Sequence, residues 1–373
     1  ELGVPFKRCG KLVVGFSEED KEKLIAMKEQ GEKNGVKGLE IIGKDKIKEI
    51  EPNIDGEFAM WSKTTGILNP YLLTIALAEN AAANGAEYYF GNEVIDIKRV
   101  DDIYNIKTKK DTYKTRWVVN AAGLYSDRVS KMLGIDDYTI HPCRGEYFIL
   151  DEKVGSKLSL PAYPVPNPKE GGLGIHLTPT IDGNVFIGPS SEYIDERDDY
   201  SATQKIMDLL IKDGGRIFPH IRRDDFIRNF AGIRPKLASK EEGGYHDFVI
   251  EMRDKSPNTI NLVGIESPGL TSSTQIAKYV VSLLKQKEEL TENENFNPIR
   301  KPIVTFNDKS VEEKEALIKE NPDYGEVICR CQTITKAEIL EAINNPLGVE
   351  TLTGIKYRCR AMMGRCQGGY CET

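Results

Sequence analysis

Hydrophobic and polar positions alternate at two periods along this chain, and the change of period marks its elements. KLVVGFSEEDKEKLIAMKEQGEKNG opens with a short apolar strand and turns at Ser17 into a polar helix, with Asp20 at close to capping-box spacing. NPYLLTIALAENAAANG carries its own start and stop signals. Asn69 can cap, Pro70 suits the first helical position, Gly85 ends the helix, and Leu72, Ile75, Ala76 and Ala82 form its apolar face. EYYF, EVIDIKRV, IYNIKTK and TYKTRWVVNAAG follow as short, partly alternating runs parted by Gly91-Asn92, Asp101-Asp102 and Lys110-Asp111, and predict a β-meander. The last apolar run, Trp117 to Ala121, suits a buried parallel strand, with Ser126 then capping a helix through Leu133.

From His141 to Ile260 the predicted strands are longer and the loops larger. PAYPVPNPKEGG predicts a loop over a site, and SATQKIMDLLIKDGGRIFP predicts a helix. TINLVGIESPGLTSSTQIAKYVVSLLKQK reads as a buried strand, a glycine-containing turn and a helix. After Lys287 the composition becomes polar and aperiodic, a linker that ends in a short helix, VEEKEALIKEN. A final unit runs from about Gly325 to Thr373, and there is no internal repeat.

Charge and composition exclude several classes. The net charge of −7, with basic residues scattered rather than striped, argues against a nucleic-acid partner. A small anionic substrate would need local Arg or Lys against that field. Apolar runs such as Tyr279 to Leu284 fall far short of the roughly 20 residues that span a bilayer. ELGVPFKRCG has no signal-peptide core, which predicts a cytoplasmic protein, or one held at a membrane only through a partner.

Of seven cysteines, Cys9 and Cys143 stand alone, whereas Cys329, Cys331, Cys359, Cys366 and Cys371 crowd the C-terminal end. Without signs of secretion, that crowding points to metal rather than disulfides. Cys329-Arg-Cys331 and Cys366-Gln-Gly-Gly-Tyr-Cys371 are two close thiolate pairs, and a helix capped by Thr335 between them can fold the two loops together. Spacing alone leaves zinc and a 2Fe-2S cluster both open. Arg330, Arg358, Arg360 and Arg365 would offset a cluster's negative charge. VICRCQTITKAEILEAI and GIKYRCRAMMGRCQGGYC resemble the bacterioferritin-associated-ferredoxin-like 2Fe-2S domain. That resemblance implies Cys329, Cys331, Cys366 and Cys371 as ligands and leaves Cys359 as an extra thiol.

Two strand-to-helix turns point to a second cofactor. In WVVNAAGLYSDRV, small residues around Gly123 let the backbone approach a bulky ligand. In GIESPGLTSS, Gly264, Ile265, Gly269, Leu270 and Thr271 surround a helix start whose N–H groups suit a phosphate or an electron-rich ring edge. Plain packing and an ordinary capped helix are the alternatives. With TTGILNPYLLTIALAENA, HPCRGEYFIL, GIHLTPT and FAGIRPKL, these segments resemble the FAD-dependent D-amino-acid-oxidase-like superfamily. The resemblance is to its branch of glycerol-3-phosphate dehydrogenases and L-2-hydroxyglutarate oxidases.

The resemblance implies an α/β (α+β) architecture. Residues 1–286 would form a flavin-binding, Rossmann-like body with a β-meander, of which about 141–260 is a β-rich substrate region. Residues 287–324 would be the linker and 325–373 a small α-helical 2Fe-2S domain. The family's G-x-G-x-x-G opening, which cradles the FAD pyrophosphate, is absent, and the chain starts at Glu1 rather than Met. The expectation is a truncated or cleaved product with an incomplete FAD site.

The chemistry so implied takes a hydride from a carbinol to flavin while a base takes the hydroxyl proton. His176 in GIHLTP is the candidate base, with a structural histidine as the alternative. Arg234 in AGIRPK is the candidate anchor for phosphate or carboxylate. Arg144 is a second candidate, unless it pairs with Glu146, and Lys236 is a third, unless it is solvated. The domain pairing implies a dehydrogenase that passes electrons through a 2Fe-2S centre to a partner protein or subunit. The expected substrate is sn-glycerol 3-phosphate, with an L-2-hydroxy acid, an amine, or a non-catalytic electron-transfer fragment as alternatives.

Overall fold

The computed structural model describes residues 1–167 and 173–372. The stretch 168–172 of the Pro/Gly-rich loop lies outside the described residues.

A large mixed sheet organises the body. Among the described residues it has nine strands, in the order Glu192–Tyr193, His141–Leu150, Val185–Gly188, His176–Pro179, Ala162–Pro164, Lys11–Gly15, Phe58–Ser62 and Leu39–Gly43. The ninth, Phe226–Lys236, pairs antiparallel along His141–Leu150. The pairing of Ala162–Pro164 with Lys11–Gly15 is parallel. The sheet thus recruits strands from residues 11–62 beside those of the 141–260 region.

Residues opposite one another in a sheet share a face, and successive residues alternate between faces. Leu12, Ala162, Leu177, Ile187 and Phe148 follow one another in register across five strands. All are buried in the main core, where the helix Gln204–Ile217 contributes Ile206, Leu210 and Ile217. The alternate positions therefore line the other face: Lys11, Tyr163, His176, Thr178, Phe186, Tyr147, Phe230 and Arg234. Ring contacts agree with that parity, with Tyr147 stacked on Phe230 at 5.1 Å and Phe186 edge-on to Phe230 at 5.6 Å.

A second, smaller sheet holds the strand-to-helix turns. Ser256–Val263 pairs antiparallel with Val249–Arg253 and parallel with Val118–Asn120. The helix Gly269–Leu284 follows one parallel strand, and a 3-10 turn with the helix Ser126–Met132 follows the other. Ser126 lies inside that helix, buried, and Tyr125 takes the cap position without a side-chain bond. Asn120 holds the turn instead, donating to the Ser126 carbonyl (2.8 Å) and to Asn261 Oδ1 (2.9 Å) while accepting from Ala122 N. The meander forms as predicted from Val94–Val100, Ile103–Thr108 and Thr112–Thr115. EYYF is not a strand; no described strand pairs with it, and Tyr89 and Phe90 are more than half exposed.

The caps are largely where the sequence puts them. Asn69 accepts from Leu72 N, with Pro70 opening the helix Pro70–Ala83, and Ser17 accepts from Asp20 N at the start of Glu18–Lys33. Ser310 with Glu313 and Thr335 with Glu338 form full capping boxes on Val311–Glu320 and Lys336–Ile343. Thr203 caps Gln204–Ile217.

The C-terminal unit packs its own small core of Cys329, Ile334, Ala342, Cys359, Ala361 and Met362. It is tied to the body at several points. Arg358 reaches Glu79 (3.4 Å), which also holds Arg300 of the linker (2.6 Å). Arg360 pairs with Asp182, Arg365 with Asp151 (2.5 Å), and Gln332 donates to Glu152 (3.0 Å). These arginines therefore clamp the unit to the body rather than serving only the cysteines beside them.

Close backbone approach makes one position a sharp test of the fold. A Cβ on Gly155 would lie 1.7 Å from the Gly183 carbonyl oxygen, so backbone rather than a movable side chain blocks it. Gly155→Ala should cost about 1–3 kcal/mol or more, read as a lowered denaturation midpoint at constant slope.

Candidate active site

The lower end of the chemical face is built around His176. Its strand places the imidazole under cover, only 6% exposed, and stacks it on Tyr163 with ring centroids 3.8 Å apart and planes 10° from parallel. Nδ1 lies 2.9 Å from the Gly174 carbonyl oxygen. A carbonyl only accepts, so Nδ1 carries the proton and the lone pair sits on Nε2. Burial, aided by the charges of Lys11 and Arg234, pushes the imidazole down from 6.5 to about 4. His176 is therefore neutral at pH 7, with a basic nitrogen for which no partner is found among the described residues.

Arg234 supplies the cation. One guanidinium nitrogen donates to the Ser190 carbonyl (2.6 Å), while buried Nε has no partner among the described residues. Among the described residues no carboxylate pairs with it. Gly145 keeps this space open, since a Cβ there would lie 2.9 Å from the Arg234 guanidinium. Tyr147, Phe186 and Phe230 wall the face beside it.

The other two candidate anchors are engaged. Arg144 lies on the opposite face, one residue out of phase with Arg234's partner Cys143. There it is held by Glu192 (2.6 Å), Asp199 (2.5 Å), the Ser201 hydroxyl (2.5 Å) and, more distantly, Glu146 (3.7 Å). Its charge is thus already met by carboxylates. Lys236 is 1% exposed rather than solvated; it pairs with Glu266 (3.1 Å), and its ammonium lies 4.6 Å from the Tyr245 ring.

That Lys236–Glu266 pair joins the chemical face to the second turn. Gly264 takes φ +69° and packs on Leu237, and Gly269 starts the long helix. Ile265 packs with the core under that helix, while Leu270 and Thr271 are exposed on its first turn. Their N–H groups have no intrahelical acceptor. Ser272 and Ser273 spend their hydroxyls on the carbonyls of Pro268 and Leu270. At the first turn Gly123 has φ +53° and open space where a Cβ would stand.

A sequence profile described as FAD dependent oxidoreductase matches residues 1–283. The chain belongs to the FAD-dependent oxidoreductase family. Among similar proteins is the glycerol 3-phosphate dehydrogenase of Caloramator mitchellensis, 40% identical over all of this chain and 76% of the relative. The mitochondrial L-2-hydroxyglutarate dehydrogenase of Nematostella vectensis is 28% identical over 75% of this chain and 72% of its own. Dithionite-reduced L-alpha-glycerophosphate oxidase from Mycoplasma pneumoniae, with FAD bound, superposes with a TM-score of 0.72 at 27% identity, covering 79% of this chain and 77% of that one. The mixed α/β fold of this FAD-dependent oxidoreductase is the one expected.

Two of the C-terminal cysteines meet directly: Cys331 Sγ donates to Cys366 Sγ at 3.3 Å. Cys329 is buried in the unit's small core, and Cys371 packs against that core. Cys359 stands apart, buried, donating to the Ile355 carbonyl (3.4 Å), with its thiol pushed up to about 11 by burial. Among the described residues no three His, Cys, Asp or Glu side chains gather closely enough to hold a single metal ion. No helix among them is long and apolar enough to cross a membrane.

Sequence reasoning missed Lys11, Tyr163 and the aromatic wall. The run KLVV shows alternation, but only the register shows that Lys11 shares a face with His176.

The depressed His176 titration has a stability consequence. The unfolded chain takes up this proton near pH 6.5 and the folded chain only near pH 4, so the contribution is complete above 6.5 and is lost as pH falls towards 4. Its size is at most about 3 kcal/mol. Unfolding free energies measured from pH 7 to 4 should fall less steeply in His176→Gln than in the parent.

Proposed function

We propose that this chain carries the substrate site of an FAD-dependent dehydrogenase that oxidises sn-glycerol 3-phosphate to dihydroxyacetone phosphate. The observation that carries the reading is a neutral imidazole with an unpartnered Nε2 on the same sheet face as a guanidinium with no carboxylate partner among the described residues. The 40% identity to a glycerol 3-phosphate dehydrogenase supports the substrate.

Arg234 binds the phosphate, which neutralises its charge and fixes the carbinol against the aromatic wall. The wall of Tyr147, Phe186 and Phe230 excludes water from the reacting carbon. His176 Nε2 takes the hydroxyl proton as the ketone forms, and Nδ1, tied to Gly174, keeps that tautomer in place. An anionic substrate counters Lys11 and Arg234 and so strengthens the base on binding. FAD, when bound, accepts the hydride. Gly123, Gly264, Ile265, Gly269, Leu270 and Thr271 would hold it, through the open space at Gly123 and the free N–H groups at the start of the long helix.

The four cysteines fit a 2Fe-2S group better than one zinc ion. Cys331 meets Cys366 while Cys329 and Cys371 share the unit's small core, and a two-iron cluster takes two thiolates at each iron. Such a group would accept single electrons and pass them to a partner protein or subunit, in the cytoplasm or at a membrane surface. Arg228 lies on the same strand and face as Arg234 and donates to Gln367, next to Cys366, at 2.9 Å. Six residues of strand separate them, about 20 Å.

A second reading, oxidation of an L-2-hydroxy acid, is favoured by the L-2-hydroxyglutarate dehydrogenase relatives, because Arg234 suits carboxylate equally well. Likeness to glycine oxidase from Bacillus cereus, at 20% identity, is one of fold alone.

Steady-state rates on both substrates, anaerobically with a dye acceptor, test the proposal; inactivity on both would end it. Arg234→Ala should raise KM at least tenfold with iron content unchanged, and an unchanged KM refutes the anchor. His176→Gln should instead lower kcat by about 10²-fold or more. Arg144→Ala should act on stability, by about 1–3 kcal/mol, because it breaks three ion pairs and leaves buried Glu146 with only its Thr203 contacts among the described residues. Anaerobically purified protein should hold about two irons and two sulfides, lost in Cys329→Ser or Cys366→Ser. Zinc in their place would overturn the cluster.

A further inference from the structure

Lys11 is a partly buried cation whose charge no carboxylate offsets among the described residues. Its neighbour is an aromatic ring: the ammonium lies 5.0 Å from the centroid of Tyr163. The same ring is stacked on His176 at 3.8 Å, and Thr178, two residues further along the His176 strand, points to the same face. Register places all four side chains on one face of three adjacent strands. Burying a lysine without a counter-charge is costly, and burial does lower its proton affinity. A purely structural contact would be served as well by a neutral side chain.

We propose that Tyr163 and Lys11 are positioning residues for the His176 imidazole: the ring fixes its plane and the ammonium keeps it unprotonated. This rests on His176 as the base. The parallel stack, with the Gly174 carbonyl at Nδ1, leaves the imidazole one orientation, with Nε2 directed away from its anchor. Among the described residues, the charged groups acting on the imidazole are Lys11 and Arg234, on the same face but from strands on opposite flanks of the His176 strand. Tyr147, the remaining titratable neighbour, interacts with Arg234 and Tyr163 and stays protonated. Two cations around a neutral base give a site that admits an anionic substrate and rejects a proton from bulk water until that substrate arrives. Lys11 acts only through His176, so it should alter when the base is competent rather than how tightly substrate binds.

The test is a titration of the imidazoles by NMR in histidine-labelled full chain, which needs no turnover. The chain has four histidines, and His176→Gln assigns the signal. In the parent the His176 midpoint should lie well below those of the others. Lys11→Met and Lys11→Gln should each raise it by roughly half a pH unit or more, while Lys11→Arg leaves it in place. Tyr163→Leu should raise it by admitting water, and Tyr163→Phe, which keeps the ring, should not. In turnover the acid limb of the kcat profile should move with the midpoint while KM stays within twofold. An unmoved midpoint in Lys11→Met, or in Tyr163→Leu, overturns the inference. If His176→Gln keeps full turnover but the midpoint shifts stand, the base reading fails while the positioning contact survives.

Discussion

The whole arrangement depends on the two-residue repeat of one nine-stranded sheet. Each strand must give every second side chain to the main core and the remainder to the opposite face. Leu12, Ala162, Leu177 and Ile187 fix which is which, because moving any one strand by a single residue would expose its core set. The chemical face is thus specified by the hydrophobic face. Lys11, Tyr163, His176 and Arg234 come together from positions more than two hundred residues apart because their neighbours are buried.

That constraint also separates the arginines. Arg144 and Arg234 sit on paired strands with similar local sequence, yet Arg144 is one residue out of phase and faces carboxylates, whereas Arg234 faces none among the described residues. Lys236, in phase with Arg234, meets Glu266 and so carries the sheet's geometry into the turn at Gly264. Charge type alone cannot sort these three residues; face parity and the acids opposite can.

Much of the local structure was legible in the chain. Asn69-Pro70, Ser17 and Thr335 announce helix starts because capping chemistry is local, and the alternation after Asp101 announces the meander for the same reason. The strand-to-helix turns also followed from short motifs. What escaped was non-local. Nothing near Lys11 shows that it lies beside residue 163, nothing near Ser126 shows that Asn120 would hold the turn instead, and EYYF has strand composition without a strand to pair with. The parallel pairing of Lys11–Gly15 with Ala162–Pro164 closes a long stretch of chain, and such contacts leave little trace in a window of sequence.

The clamp between the cysteine-bearing unit and the body has a kinetic meaning. Arg358, Arg360 and Arg365, spread over the unit, all end on body carboxylates, and Arg228 answers from the body. On the proposed cluster reading, a centre held in this way would not have to find its donor by diffusion. Its effective concentration would be set by the tether and the docked geometry, independent of how much protein is present. Exchange within the chain would then be a first-order event with a fixed separation. Only the proposed outward step, across the exposed side of the unit where Cys331 and Tyr370 meet solvent, would remain a collision between molecules.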